Sequence, residues 1–119
     1  MTLAAFEQMV ADALTQIPSS YRARMHNVVV LVEDNPPQPG LLGLYEGRPL
    51  TERSVQDGFT LPDRITIYRI PHERMSRNAQ HLRRIVGETL WHEIAHYFGL
   101  DEAQVLRAER ARTRRRYSR

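Results

Sequence analysis

The segment from residue 78 to residue 99 carries the longest single periodicity in the chain. Apolar side chains fall at Leu82, Ile85, Val86, Leu90, Ile94 and Ala95, the spacing of a helix with one buried stripe. The stripe runs to about Phe98. Gly99 follows, where a glycine can adopt the left-handed conformation that ends a helix. A helix of this length buries its stripe only against other elements, so the rest of the chain must supply a facing layer.

That layer reads as helix and strand. Leu3, Phe6, Val10, Ala13, Leu14 and Ile17 form a first amphipathic helix, which Pro18 ends. "HNVVVLVED" holds five consecutive aliphatic residues at 28–32, short and β-branched, and predicts a buried strand. "NPPQPG" is a loop. "LLGLYEG" at 41–47 predicts a short strand in which Gly43 and Gly47 mark tight or exposed backbone. Residues 48–63 are polar and irregular. "RITIYRI" at 64–70 alternates apolar with polar, as a strand with one wet face does, and Pro71 is expected to stop it. A last helix is expected from Asp101 to about Arg112. The sum is a small α+β domain with no internal repeat.

Composition narrows the chemistry. A chain of 119 residues with 41% apolar content suggests one globular domain with a modest core. It has no cysteine, which excludes disulfide scaffolds and thiolate-held zinc, so a metal would need His, Asp or Glu. No apolar run approaches the roughly 20 residues that span a bilayer. The first residues lack the basic region of a signal peptide, and a cytoplasmic protein is expected.

Within the long helix, "ETLWHEIAHYFGLDEAQ" interrupts the apolar pattern with His92, Glu93 and His96. Residues four apart lie about one turn apart on one face, so both imidazoles can reach the same ion. Glu93 is rotated about 100° from His92 and is poorly placed as a further ligand beside them. It is placed to take a proton from a water activated by the metal and pass it to a leaving group. Zn²⁺ suits two imidazoles, a carboxylate and an open position. Gly99 allows a sharp turn that returns Asp101 or Glu102 toward the ion. Glu102 stands ten residues after His92, the offset of the third ligand in H-E-x-x-H-x-x-G-x-x-H enzymes, and is favoured. Asp101 is the alternative, and Glu109 on a following helix is a more distant candidate.

"WHEIAHYFGLDE" resembles the motif of the small zincin-like metallopeptidases, minimal bacterial domains of about this length. "GLLGLYEGRPLTERS" is similar to that family's Gly-Leu-Tyr segment, and "LPDRITIYRIPHER" to its strand before the helices. The resemblance covers residues 28–106. It implies a zincin-type half-domain, a small mixed sheet packed on the motif helix. It also implies His92, His96 and an acid at the position of Glu102 as zinc ligands, with Glu93 as general base. No Met follows Met75, so the Met-turn of metzincins has no counterpart here.

The remaining features are weighed more plainly. His26, His72 and His81 read as surface or structural histidines. Trp91, Tyr45 and Tyr68 read as packing residues, and Tyr97 as core or groove wall, its phenol a lesser candidate for stabilising an oxyanion. The division expected is a domain at 1–106 and a basic tail at 107–119. All 17 basic residues are arginine; seven lie in that tail against Glu109 alone, so the tail carries +6 and the body −3. The tail reads as a solvated helix end, with nucleic acid, acidic lipid or an acidic protein as a less favoured partner. Two functions fit the whole. The first is a zinc peptidase that takes a peptide or protein substrate as an added strand on an exposed edge, at 41–46 in preference to 65–70. The second is a binding module on the same fold with little or no catalysis.

Overall fold

A computed structural model describes residues 1–47 and 61–101, together with 103, 104, 107, 110 and 111. The element order is α1 (Leu3–Thr15), α2 (Ser19–Arg22), β1 (Val28–Glu33), β2 (Gly43–Glu46), β3 (Asp63–Tyr68), α3 (Arg69–Met75) and α4 (Ala79–Tyr97). The three strands form one mixed sheet in the order β1-β3-β2. β1 runs parallel to β3, with Val30 opposite Ile65 and Val32 opposite Ile67. β2 runs antiparallel to β3, with Gly43 opposite Ile67 and Tyr45 opposite Ile65. β3 is therefore the central strand, and β2 is an edge among the described residues.

The core lies between one face of this sheet and the helices α1 and α4. Ile65 and Ile67 meet Phe6 and Val10 of α1 and Ile85, Val86, Leu90 and Ile94 of α4, all buried. Each such side chain contributes about 1.5–3 kcal/mol through burial. The helix starts are satisfied by side-chain caps. Thr2 caps α1, its hydroxyl accepting from Ala5 N at 3.1 Å. Asn78 caps α4, accepting from His81 N at 2.8 Å.

Three sequence expectations give way. β3 has no wet face from Ile65 on: Thr66 and Tyr68 are buried, as are Ile65 and Ile67 on the other face, because the strand is central in the sheet. The aliphatic run of β1 predicts burial on both faces, yet its residues alternate between half-buried and exposed, with Val29 38% and Leu31 41% exposed. β1 is at the edge of a sheet whose described helices pack on the opposite face, so every second aliphatic side chain points away from the core. Nor does Pro71 end the local structure. The strand stops at Tyr68, and Pro71 sits in the first turn of α3, where a missing N–H breaks no helical bond. The short α2, opened by Pro18, is an addition to the elements that the sequence predicts.

α3 carries His72 into the core. Arg69 anchors the helix start, donating to Asp34 at 2.7 Å and Glu73 at 2.9 Å, partly exposed pairs that add little to stability. The His72 ring is 0% exposed, with Nδ1 2.5 Å from Tyr68 O and Nε2 2.8 Å from Thr89 Oγ1. A carbonyl only accepts, so Nδ1 bears the proton. Burial pushes the imidazole below its ordinary 6.5, so the folded chain holds the ring neutral. Below about pH 6.5 the unfolded chain takes up a proton that the folded chain refuses. Stability is thus expected to be intact above that pH and to fall as pH drops through it, by at most ~1.4 kcal/mol per pH unit from this group. Urea titrations at pH 7.5 and 5.5 measure the fall, and His72→Gln should shrink it. An undiminished pH dependence in the variant would remove His72 as its source.

Candidate metal centre

α4 delivers its functional side chains near its C-terminal end, where the helix is closed by a double hydrogen-bonded cap. Gly99 N donates to His96 O at 2.9 Å and Leu100 N to Ala95 O at 3.1 Å. Gly99 has φ +87°, a conformation that costs a glycine nothing and strains other residues. The turn returns Leu100 O to within 3.2 Å of His96 Nδ1. Because the carbonyl accepts, this bond puts the His96 proton on Nδ1 and leaves a lone pair on Nε2. A backbone carbonyl on the far nitrogen is the usual support of a metal-ligating histidine.

His92 and His96 lie on one face of α4, their ring centroids 5.0 Å apart and their planes at 72°. Both are half-buried, whereas Glu93 is 7% exposed. All three line an open cleft of about 530 Å³. Its opposite wall is the edge strand β2 with Leu41, and its end is closed by Leu100 and Asp101. Glu93 packs beneath β2 at Gly43. A methyl group built on Gly43 would stand 3.1 Å from Glu93 Cγ and 3.3 Å from Glu93 Oε2. The glycine is what allows the strand backbone to pass this close to the carboxylate.

The expected site residues divide into those brought together and those not described. His92, Glu93, His96 and Asp101 share the cleft. Glu102 and Glu109 lie outside the described residues, as do residues 48–60 and 112–119. Among the described residues no three His, Asp or Glu side chains are gathered so as to hold a metal ion. Asp101 is engaged as a helix cap. Its Oδ1 accepts from Gln104 N at 2.8 Å, and Gln104 Oε1 accepts from Asp101 N at 2.8 Å. Ala103, Gln104, Arg107, Arg110 and Ala111 are helical, as expected of the final helix. The two imidazoles, one turn apart and one with its tautomer set by a carbonyl, are donors of the kind that zinc takes.

Other residues resolve differently. Tyr97 is fully buried, and its hydroxyl accepts from His26 N at 2.8 Å and donates to His26 O at 3.0 Å. It ties α4 to the chain ahead of β1 and does not face the cleft as an oxyanion donor. Trp91 packs edge-on to Tyr21 at 5.3 Å. His81 accepts from Arg77 N through Nδ1 at 3.0 Å on the surface. Residues that sequence reasoning passed over are Thr89, Leu100 through its carbonyl, and His72 in its buried role.

Comparison with known proteins gives the family. A family model of zincin-like metallopeptidases matches residues 25–111, most of the chain. The chain belongs to that family. The matched segment begins just ahead of β1 and takes in the whole sheet, α3 and α4, leaving α1 and α2 of this zincin-like chain outside it. A solved structure, a conserved hypothetical protein from Thermo thermophilus, is similar at 25% identity with a TM-score of 0.58. The match covers 82% of this chain and 94% of that one. No curated protein matches the zincin-like chain.

Proposed function

We propose that this zincin-like chain is a zinc-dependent peptidase that binds an extended peptide or protein segment against β2 and hydrolyses it beside α4. The observation that carries the reading is the meeting of His92, Glu93 and His96 in one open cleft, directly under an edge strand thinned to glycine at Gly43. His92 and His96 would hold the ion through their ring nitrogens. Zinc, when bound, supplies Lewis-acid chemistry that acidifies a water and polarises a carbonyl oxygen. Glu93 would take the proton of the attacking water on its carboxylate and hand it to the leaving amine. The outer edge of β2 would pair with the substrate backbone and orient the scissile bond, as strand addition does in other peptide-binding proteins. β3 cannot serve this way, being paired on both sides.

The third ligand we assign to Glu102, from its offset to His92. The capping bonds of Asp101 support the division of labour, since one oxygen of that carboxylate is already spent on Gln104 N. Glu102→Ala is expected to weaken zinc affinity, measured by chelator competition. Asp101→Ala is expected to cost about 1 kcal/mol of stability and leave the affinity near that of the parent. An Asp101 carboxylate within about 2.0–2.2 Å of zinc in a metal-loaded crystal would reverse the assignment.

The domain proper is proposed to span 1–106, with 107–119 as an arginine-rich, solvated tail. No helix among the described residues is long and apolar enough to cross a membrane. The test is metal analysis of the purified protein, followed by a peptide-library cleavage assay with Glu93→Ala as control. Zinc-dependent cleavage lost in the variant is the expected result. Zinc bound without cleavage of any peptide would leave a binding module, and no zinc would end the reading.

A further inference from the structure

His72 and Thr89 stand outside the proposed chemistry, yet their hydrogen bonds close a circuit around its most constrained contact. Tyr68 N donates to Leu42 O at 3.0 Å, tying the start of β2 to the end of β3. Tyr68 O, on the other side of the same residue, accepts from His72 Nδ1 at 2.5 Å. The neutral ring then offers only a lone pair at Nε2, which the Thr89 hydroxyl, 2.8 Å away, can meet. That hydroxyl also lies 3.0 Å from Ile85 O, so its single proton sits between two acceptors. With the hydroxyl held on the His72 side, the Thr89 methyl faces β2. A methyl group built on Gly43 would come within 2.7 Å of Thr89 Cγ2, closer than real contacts allow. The path from Leu42 through Tyr68, His72 and Thr89 thus returns to Gly43, one residue from where it began. Thr89 is also one turn ahead of Glu93 on α4, so the two side chains share the face on which β2 rests.

We infer that Thr89, held by His72, is a positioning residue that sets how closely β2 approaches the Glu93 carboxylate. The circuit refers the edge strand to both β3 and α4. Without it, β2 would be located by its short ladder to β3 and by the packing of Tyr45 on Tyr97, with nothing to gauge the strand at Gly43. Its consequence for hydrolysis rests on the proposed peptidase reading; its consequence for the placement of β2 does not. Tyr68, His72 and Thr89 do not line the cleft. They act through the gap between a strand that would orient the substrate and a carboxylate that would move its proton, where a displacement of about 1 Å can cost about 100-fold in rate.

The test compares two variants of the full chain. Thr89→Val keeps the methyl and removes the hydroxyl; Thr89→Ser keeps the hydroxyl and removes the methyl. Amide hydrogen exchange read by NMR should speed up about tenfold in β2 in each variant, while β1 and the core of α4 stay within about twofold of the parent. In the zinc-loaded chain, kcat should fall about tenfold, with KM and zinc affinity held within about twofold. Gly43→Ala should likewise disturb β2, and adding Thr89→Ser should restore it by removing the worst overlap. Exchange in β2 unchanged in both variants would overturn the inference. So would a uniform rise across all elements, which marks ordinary destabilisation, or failure of the rescue. If the parent cleaves peptides and both variants match its kcat, the positioning role is likewise overturned. A parent that cleaves nothing strikes the peptidase reading instead, and the exchange and rescue results still decide this one.

Discussion

Glu93→Gln is expected to retain zinc and lose hydrolysis by about 10²–10⁴-fold, the usual contribution of a general base. The substitution isolates proton transfer because it changes little else. Glu93 is buried to 7% exposure under Gly43, and glutamine has the same length and nearly the same shape. The contact with β2 therefore persists, and so does the wall of the cleft. The two imidazoles on the neighbouring positions of the helix face are untouched, so the metal should stay. What changes is the ability of the side chain to accept a proton: a carboxylate can and an amide cannot. Zinc content by mass spectrometry and peptide cleavage on the same sample separate the two properties. Cleavage at the parent rate would make Glu93 an ordinary helix residue, whatever the fate of the metal.

The motif helix is legible in the sequence because local and tertiary demands agree along it. The apolar stripe at Leu82, Ile85, Val86, Leu90 and Ile94 faces the sheet as its period requires, the Asn78 side chain caps its start, and Gly99 ends it in the left-handed conformation. Gly43 is legible for a related reason: an isolated glycine in a strand implies close approach, and Glu93 and Thr89 are what approach. Among the described strands β2 lies at an edge and β3 at the centre.

Other features are hidden by rules that hold on average. A proline after an alternating strand suggests a stop, yet the first turn of a helix accepts proline equally well, and periodicity over the seven residues of α3 is too short to tell. Histidine is more often exposed than buried, and nothing local announces that His72 will meet a carbonyl and a hydroxyl from two separate elements. The run of aliphatic residues in β1 implies cover on both faces. Which face the helices take depends on where α1 and α4 dock, a fact not written within the strand itself.

His92→Ala and His96→Ala are each expected to release zinc from the purified protein. Each substitution removes one of the two neutral nitrogen donors that supply most of the proposed site, and no cysteine exists to replace it. Losing an outer partner of a zinc ligand already weakens binding about 10–100-fold, so losing a ligand itself should exceed that range. The fold should survive, because both histidines are only half-buried at the cleft and the core residues Leu90 and Ile94 lie on the other side of the helix. A circular dichroism spectrum matching the parent, combined with zinc loss in chelator competition, is therefore the expected pair of results. The two variants also differ in a way that tests the geometry. His96 is oriented by Leu100 O at 3.2 Å, so a Gly99 substitution that disturbs the turn should weaken zinc binding through His96 while leaving His92 in place. Full zinc occupancy in a chain lacking both histidines would mean that the metal sits elsewhere, and the cleft beneath β2 would then need a different function.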